Sequence, residues 1–471
     1  MPFIYDQIEP MPLITSIHIK DLFGLYSYTL PNDGEFQNAA ILYGDNGAGK
    51  STILRLAFHL LSSAGDKGHR NALYKSDFKE LSVCLSSGYS VNAIKNTVNS
   101  VDILSLSISH NNKNIAEWDF IPSDPRQQLI WNDDSKYLRQ YEEYEKKISK
   151  KISVKLKKST FSLDGELNFL KVLEDIAPSM FILNAERRLD SDSVPDPGDE
   201  MELRRLMHYE DARKINDLVT RSREIALSQA LATTTQWIKN KAIKGANQGS
   251  INVHTVYSEV LKHLVTPMNN KEVQSNDIPD LLDRLTDIEK KTNELAEYEF
   301  ETPLSTQALK KGLTTRNSQR AMLAAGLLFP YIKSVEGRLE AVTPIFNVVH
   351  KFIKIINSLL HDKKISFTLG SGFVIKNRLN AILEPSKLSS GEQQLLLLFC
   401  YVLTARDNPS VFMIDEPEIS LNVKWQRQLI QSLLDITEKS KIQFIFASHS
   451  IELFAQHRRR VVKVIGESHE R

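Results

Sequence analysis

The sequence predicts an α/β fold in which a mixed sheet and an antiparallel β subdomain are interrupted by a helical insertion. The first observation is a glycine-rich turn at 44–51, between an apolar strand at 39–43 and a helix at 52–61. The second is a set of short alternating segments in the first part of the chain. The third is a long helix-compatible region, 201–360, after which strand-like sequence resumes.

The composition is that of a globular chain large enough for two or three domains, with 471 residues, 41% hydrophobic and 25% charged. Lys and Arg number 59 against 58 Asp and Glu, so the net charge of +1 excludes a global field that attracts nucleic acid or membrane. Cys84 and Cys400 are too few for a disulfide framework or a four-cysteine zinc site. No leader pattern or spanning apolar run is visible, so we expect a cytoplasmic protein with no membrane partner.

The N-terminal half of the α/β domain is expected at 1–190. It starts with two strands in 14–30, followed by the strand at 39–43. Further strand-like segments, which indicate a small antiparallel sheet, lie at 80–86, 103–109 and 116–121. Residues 136–158 predict a basic helical arm, for which a solvated arm is the favoured interpretation and a nucleic-acid contact the alternative.

The helical insertion is expected at 200–360 and the C-terminal half of the α/β domain at 361–471. A strand at 179–183 precedes an acidic loop at 190–200 that contains proline and glycine. Helical periodicity then dominates until strand-like sequence resumes at 364. Two halves of one domain are therefore predicted to flank a helical domain.

The clearest motif is GDNGAGKS at 44–51, which fits G-x-x-x-x-G-K-[ST] and lies between a predicted strand and a predicted helix. Its glycines let backbone N–H groups surround phosphates at a helix N-terminus, where the helix dipole favours anions. Lys50 is expected to reach the β and γ phosphates, and Ser51 to ligate Mg²⁺. A chance glycine-rich turn is the alternative, against which the strand and helix on either side argue.

Two further motifs follow apolar strands near the C-terminus. In VFMIDE, at 411–416, Asp415 can serve a metal ion and Glu416 can orient or deprotonate water. The strand IQFIFAS, at 442–448, leads into His449. A histidine in this position is usually a structural hydrogen-bonding residue. The accompanying motifs favour the alternative, a sensor of the γ-phosphate.

A fourth stretch, LSSGEQQLLLL at 388–398, begins with a polar turn and ends in an apolar helix. Ser389 or Ser390 can cap this helix, which leaves N–H groups and the positive end of the dipole pointing outwards as an anion site. An ordinary N-capped core helix is the alternative, and the stretch alone does not decide between the two.

Taken in order, GDNGAGKST, LSSGEQQ, VFMIDEPE and ASHS resemble the P-loop, signature motif, Walker B strand and histidine switch of the ABC-type ATPase superfamily. The resemblance covers the two ends of the chain and says little of its middle. The split head without membrane segments resembles the SMC/RecF/OLD branch. That resemblance implies an ABC-type P-loop ATPase head that hydrolyses ATP with Mg²⁺. It also implies a homo-oligomer, a head-to-head dimer or higher, because in that branch one subunit's signature motif contacts the γ-phosphate held by another.

The resemblance also implies residue roles. Glu416 corresponds to the catalytic base, His449 to the γ-phosphate sensor, and Asp415 and Ser51 to the Mg²⁺ ligands, while 420–422 occupies the D-loop place. The implied nucleotide contacts are Asn46, Gly47, Ala48, Gly49, Lys50, Ser51 and Thr52, with Ser390 and Gly391 serving a partner's nucleotide.

The chain departs from the transporter pattern in three places. Ser390 stands where transporters usually carry glycine, Asn422 where Asp or His is commoner, and no glutamine fills the Q-loop. Our candidates for the Q-loop residue are Asn184, Glu186 and Arg187.

The C-terminal blocks are similar to those of compact ATPases in prokaryotic antiphage systems, namely Septu, PARIS and some retrons. This resemblance implies an ATPase subunit that controls a separate effector nuclease of the HNH or Toprim type, since the chain ends at Arg471, shortly after His449. The alternatives are a RecF/SMC-like DNA-repair or DNA-clamping ATPase and a scaffold that barely turns over ATP. The lysines of 146–158 and Arg458–Arg460 leave nucleic acid a possible partner, whereas the missing C-x-x-C argues against a hook-type repair protein.

Overall fold

The computed structural model describes residues 13–98, 101–122, 163–184, 189–192, 212–250, 258, 278–419, 421 and 423–468. The chain divides into two compact units, the first formed by Met1–Val219 with Ala405–Arg471 and the second by Thr220–Thr404. The domain boundaries expected near 190–200 and 360 stay predictions. The basic arm at 136–158 lies outside the described residues, as do Glu186, Arg187 and Asn422.

The strands of the described residues are numbered in chain order. They are β1 Ile14–Leu22, β2 Tyr26–Leu30, β3 Ala39–Tyr43, β4 Glu80–Leu85, β5 Tyr89–Val98, β6 Val101–His110, β7 Lys113–Phe120, β8 Ser179–Leu183, β9 Leu189–Ser191, β10 Lys363–Thr368, β11 Gly372–Asn377, β12 Ile382–Leu383, β13 Ser410–Asp415, β14 Ile442–Ala447, β15 Val461–Lys463 and β16 Glu467–Ser468.

The helices of the same residues are numbered in the same way. They are α1 Lys50–Leu61, α2 His69–Lys75, α3 Leu163–Ile176, α4 Ala212–Ser250, α5 Ile278–Ala296, α6 Gln307–Leu313, α7 Ser318–Leu359, α8 Ser390–Thr404, α9 Val423–Ile436 and α10 Ile451–Phe454. Within the described part of the chain, no helix is both long enough and apolar enough to cross a membrane.

A six-stranded mixed sheet in the first unit has the order β15-β3-β14-β13-β8-β9. All its pairings are parallel except that of β9 with β8. Every residue of β13 and β14 is buried, as expected for central parallel strands covered on both faces. Phe181 stacks on Phe412 with ring centroids 4.4 Å apart, which locks β8 against β13. The mixed sheet predicted from the sequence is confirmed, and it brings the ends of β3, β13 and β14 to one edge.

A seven-stranded antiparallel sheet in the same unit has the order β16-β2-β1-β4-β5-β6-β7. Its strands alternate buried and more exposed residues, so that one face packs on the core. Trp118 of β7 and Phe169 of α3 meet there with ring centroids 6.0 Å apart. The predicted antiparallel subdomain is thereby confirmed. Strand β5 was not predicted from the sequence, because Lys95 follows Val91 and Ala93 on the inward face while Ile94 is exposed on the other.

The second unit is largely helical. The long helix α7 continues through Pro330 and Pro344, and its apolar residues pack against α5 and α6. Arg284 of α5 forms two hydrogen bonds with Glu336 of α7, at 2.9 and 2.6 Å. Strands β10, β11 and β12 form a small antiparallel sheet that follows α7. The apolar run after the polar turn at 388–391 is buried in α8.

Candidate functional site

The glycine-rich loop connects β3 to α1. Gly47 and Gly49 adopt the left-handed region, with φ of 87° and 79°, which other residues enter only with strain. The Ala48 N–H donates to the carbonyl of Asp45 at 3.2 Å and closes the turn. A side chain at Gly44 would meet the carbonyl oxygen of Val464 at 3.0 Å. The loop is therefore tight on its β15 side and presents backbone N–H groups at the start of α1, as a phosphate cradle requires.

Helix α1 begins at Lys50, two residues before the predicted start, because Gly49 is its N-cap and accepts the first helical hydrogen bond, from Ile53 at 2.8 Å. The Lys50 ammonium donates to the carbonyls of Gly44 and Asp45 at 2.8 and 3.0 Å. Its Nζ lies 3.3 Å from Nδ1 of His449. For Lys50 to donate there, Nδ1 must be unprotonated.

Lys50 is almost fully buried. Only 5% of its surface is exposed, and burial lowers the pKa of the Lys50 ammonium. The nearby acids oppose that effect, with Glu416 first and Asp415 second. The ammonium group therefore lies close to the carboxylates of Asp415 and Glu416 at the end of β13, at the edge where the sequence predicts the phosphates.

Ser51 and Asp415 form the second contact of the site. The Ser51 hydroxyl of α1 donates to Oδ1 of Asp415, the last residue of β13, at 2.7 Å. Burial raises the pKa of Asp415, and the charge of Glu418 adds to the increase, against the Ser51 hydrogen bond and the charges of Arg55 and Lys50. A hydroxyl and a carboxylate side by side are the hard oxygen donors that Mg²⁺ prefers, so this pair fits the metal.

Glu416 follows directly and turns the chain at the end of β13. Its φ of 46° is unusual for a residue with a side chain, and such strain is concentrated at functional sites. Its N–H donates to the carbonyl of Ala447, the last residue of β14, at 2.8 Å. The strained residue is therefore fixed to the strand that precedes His449.

Glu418 was not identified as a functional residue from the sequence, although it belongs to the quoted motif VFMIDEPE. One of its carboxylate oxygens, Oε1, accepts from the Ser448 hydroxyl at 2.7 Å and from the N–H groups of His449 and Ser450 at 2.9 and 3.2 Å. An acidic residue two positions after Glu416 was the available signal. Alone it indicates no partner, because the loop at 448–450 is distant in sequence.

In the second unit, Ser389 rather than Ser390 caps α8. The Ser389 N–H donates to Oε2 of Glu392 at 2.7 Å, and the Glu392 N–H donates to the Ser389 hydroxyl at 3.4 Å, which is a capping box. Burial alone would raise the pKa of Glu392, but the bonds from Lys363 and Ser389 outweigh it and hold that pKa below its usual value. Ser390 is exposed and Gly391 is buried within the first turn.

Lys50, Ser51, Asp415, Glu416 and His449 thus come together in the first unit. Three other predicted nucleotide contacts flank them: Asn46 is exposed in the loop, Ala48 lies in the turn, and Thr52 is half-buried in α1. The roles of all these residues stay predictions, as do those of Ser390 and Gly391 in the second unit and of Asn184, at the end of β8.

A parallel strand, a glycine-rich loop and a helix, opposite a strand that ends in two carboxylates, define an α/β P-loop ATPase. Residues 39–455 match the AAA_21 family model, described as "AAA domain, putative AbiEii toxin, Type IV TA system". Because this match covers most of the chain, the protein belongs to the AAA_21 family. Membership of this ATPase family implies a nucleotide ligand.

Short stretches of the chain are also similar to curated ATP-binding proteins. The phosphonates import ATP-binding protein PhnC of Lactobacillus delbrueckii subsp. bulgaricus is 37% identical over 78 residues, which is 17% of this chain and 29% of that protein. The dipeptide transport ATP-binding protein DppD of Caldanaerobacter subterraneus subsp. tengcongensis is 33% identical over 82 residues, or 17% and 24%. The chain spans less than a third of the length of either relative.

Solved structures similar to this chain include Smc head domains. One, from Pyrococcus furiosus with an extended coiled coil and bound to the C-terminal domain of ScpA, has 14% identity and a TM-score of 0.32 over 97% of each chain. Another, from Pyrococcus yayanosii with a coiled coil and joint, has 14% identity and a TM-score of 0.31 over 98% of this chain and 97% of that one. Similarity at this level bears on neither the function nor the partners of this chain.

Proposed function

We propose that this protein binds ATP with Mg²⁺ at the edge of its mixed sheet and hydrolyses it. The observation that carries the proposal is the convergence of Lys50 and Ser51 at the start of α1 with Asp415, Glu416 and His449 at the ends of β13 and β14. A cation, a hydroxyl, two carboxylates and an imidazole on one sheet edge are the groups that phosphoryl transfer to water requires.

The contacts within the site support phosphate binding. Lys50 donates to two backbone carbonyls and lies against His449, so its ammonium group already points at the mouth of the loop. The left-handed Gly47 has nothing within 4 Å of where a Cβ would lie, which leaves open space over the loop. Phosphate oxygens are stronger acceptors for Lys50 than the carbonyls, because both partners are then charged.

The Ser51 and Asp415 pair supports the Mg²⁺ part of the proposal. A bound Mg²⁺ would supply positive charge that neutralises the negative charge developing on the phosphates. The raised pKa of Asp415 reflects the cost of burying its charge, with the charge of Glu418 adding to it, and a divalent cation would offset that cost. Ser51 and Asp415 would hold the ion, each through an oxygen already within 2.7 Å of the other.

Glu416 is the residue we assign as general base. It lies one residue beyond Asp415, and its carboxylate acts on Lys50 more strongly than any other acid does. The Glu416 carboxylate therefore faces the mouth of the glycine-rich loop, as Lys50 does, and can take a proton from a water molecule there. His449 would contact the γ-phosphate through a protonated ring nitrogen, because Nδ1 accepts from Lys50 only while it is unprotonated.

Steady-state ATP hydrolysis by the purified full chain tests this assignment. Replacing Glu416→Gln removes the base while keeping its shape, and we expect turnover to fall at least ~100-fold, because a general base contributes about 10²–10⁴. ATP binding, measured by fluorescent-analogue titration, should stay within a few-fold of wild type. Glu452→Gln is the matched control, since Glu452 pairs with Arg427 on the surface at 2.6 Å. Absence of Mg²⁺-dependent hydrolysis in the wild type would reject the proposal, and equal turnover of Glu416→Gln would reject the base.

At the finer level, we propose an antiphage defence ATPase that oligomerises and controls a separate effector nuclease. The family description supports this, because it names an AbiEii toxin and a toxin–antitoxin system. The exposed Ser390 at the start of α8 supports a contact with a second subunit's nucleotide, because the positive end of a helix dipole favours anions.

This finer proposal is tested by expressing tagged Glu416→Gln with its native neighbouring genes and recording native mass spectra with and without ATP. A complex that contains a nuclease supports the defence ATPase, and loss of the nuclease with ATP shows that nucleotide state controls its release. An ATP-dependent dimer that carries no second protein would favour the DNA-clamping alternative and overturn effector control.

A further inference from the structure

The loop that carries His449 is fastened by a side chain outside the predicted site. Glu418, in the turn after β13, accepts three hydrogen bonds on Oε1, and all three donors belong to Ser448, His449 and Ser450. The distances, from 2.7 to 3.2 Å, are those of good hydrogen bonds, and each is strengthened because the acceptor is charged. One carboxylate oxygen therefore holds the Ser448 side chain and the backbone N–H groups of His449 and Ser450.

A second side chain fastens the same loop to the same turn. Gln426, in the first turn of α9, accepts from the Ser450 hydroxyl at 2.8 Å. Its amide nitrogen donates to the carbonyls of Glu418 and Leu421 at 3.3 and 3.0 Å. Glu418, Leu421, the start of α9 and the histidine loop are thus joined by hydrogen bonds.

The remaining oxygen of Glu418 points to its role. Oε2 is buried and has no hydrogen-bond partner among the residues that the structure describes. The carboxylate also acts on Lys50 and Asp415, so its charge lies close to the site. Burying a carboxylate oxygen near that of Asp415 is costly, and the loop donors on Oε1 together with the charge of Lys50 offset that cost. The three hydrogen bonds that this carboxylate accepts all come from the loop at 448–450.

We propose that Glu418 is a positioning residue for His449. By fixing the N–H groups of His449 and Ser450, it holds the imidazole beside Lys50, where Nδ1 and Nζ are 3.3 Å apart. This inference rests on the proposed ATP hydrolysis, which needs His449 at the γ-phosphate. Without the carboxylate the loop N–H groups turn to water and the ring moves, and a displacement of about 1 Å can cost ~100-fold in rate.

A double-mutant cycle on the full chain tests the proposal. Turnover number and KM for ATP are measured for Glu418→Ala, Glu418→Gln, His449→Ala and the two double variants. We expect Glu418→Ala to lower the turnover number at least tenfold, about 1.4 kcal/mol of transition-state stabilisation, with KM within about twofold. Glu418→Gln keeps an acceptor oxygen and should lie between Glu418→Ala and wild type. In the His449→Ala background both changes should have less than a twofold effect, because they act through the ring.

The controls separate this proposal from folding and from the proposed function. Glu452→Gln, in α10 three residues after His449, removes one exposed carboxylate and should leave turnover unchanged. ATP-induced thermal stabilisation shows that each variant is folded and binds. If the Glu418 variants lose the same factor with and without His449, or lose ATP binding rather than turnover, the positioning role is wrong. If the wild type does not hydrolyse ATP, the proposed function fails first.

Discussion

Replacing Gly49→Ala should destabilise the protein more than the same change at two other left-handed glycines. Gly49 has φ of 79° and lies between the P-loop and α1. An added Cβ would lie 2.9 Å from Cδ2 of Leu22 and 3.2 Å from Cε2 of Phe23. Leu22 is completely buried at the end of β1, so its methyl group cannot move into solvent.

The expected loss in the free energy of unfolding of Gly49→Ala has two parts. Holding alanine in the left-handed region costs about 1–2 kcal/mol. Forcing a methyl group against a packed core side chain adds about 1–3 kcal/mol. The sum for Gly49→Ala is therefore roughly 2–5 kcal/mol. At Gly47, with φ of 87°, and at Gly34, with φ of 71°, nothing lies within 4 Å of the added Cβ. Gly47→Ala and Gly34→Ala should cost only the backbone part.

Differential scanning fluorimetry with and without ATP measures both consequences. Gly49→Ala should melt lowest, with Gly47→Ala and Gly34→Ala close together and nearer the wild type. Gly47→Ala should lose the ATP-induced rise in melting temperature, because its methyl group occupies the open space over the P-loop, whereas Gly34→Ala should keep it. Equal melting temperatures for Gly49→Ala and Gly34→Ala would show that the contacts with Leu22 and Phe23 carry no strain, which would refute the packing argument.

Two further predictions concern stability. Burial, with a smaller effect of His69, lowers the pKa of His59 from 6.5 to about 3, so the folded state binds fewer protons than the unfolded state between these values. The free energy of unfolding should therefore rise with pH in that window and fall by about 2 kcal/mol from pH 7 to pH 5. Urea unfolding of wild type and His59→Gln at both pH values checks this. If the free energy of unfolding of the variant depends on pH as strongly as that of wild type, other groups cause the loss. Phe412 is fully buried between Phe181 and Phe444. Replacing it with alanine should lower the free energy of unfolding by about 3–5 kcal/mol, and replacing it with leucine should lower it clearly less. Equal melting temperatures of these two variants would contradict a cavity as the cause.

The elements that could be predicted from the sequence are those whose residue pattern favours a single structure. The continuous apolar runs of β13 and β14 and the glycines of the P-loop have one favoured structure each, so the mixed sheet and the presence of α1 were predicted, although α1 begins two residues before the expected position. The strand β5 was missed because its alternation breaks at Ile94 and Lys95, which place an apolar residue on the exposed face and a lysine on the inward one. The choice of Ser389 over Ser390 as the cap depended on Glu392 and Lys363, whose contact joins β10 to α8.

Glu418 shows a second limit of sequence reasoning. Its partners lie about thirty positions later, and only the parallel pairing of β13 with β14 brings the two strand ends together. The carboxyl ends of neighbouring parallel strands meet at one edge, so a side chain after one strand can reach the loop after the next. The role of an acid three residues beyond the end of β13 therefore depends on the order of strands in the sheet, which no local pattern of residues contains.

The contacts of the site also constrain how the nucleotide is sensed. Lys50 lies against His449, and Ser51 donates to Asp415, so groups proposed for phosphate and for Mg²⁺ are already each other's partners. A nucleotide that takes Lys50 and Ser51 must therefore replace both contacts. Since Glu418 holds the backbone of His449, the freed imidazole can respond through its side chain while the loop stays in place. Changing Glu418 should then alter the rate of hydrolysis rather than the affinity for ATP, which is the separation that the double-mutant cycle measures.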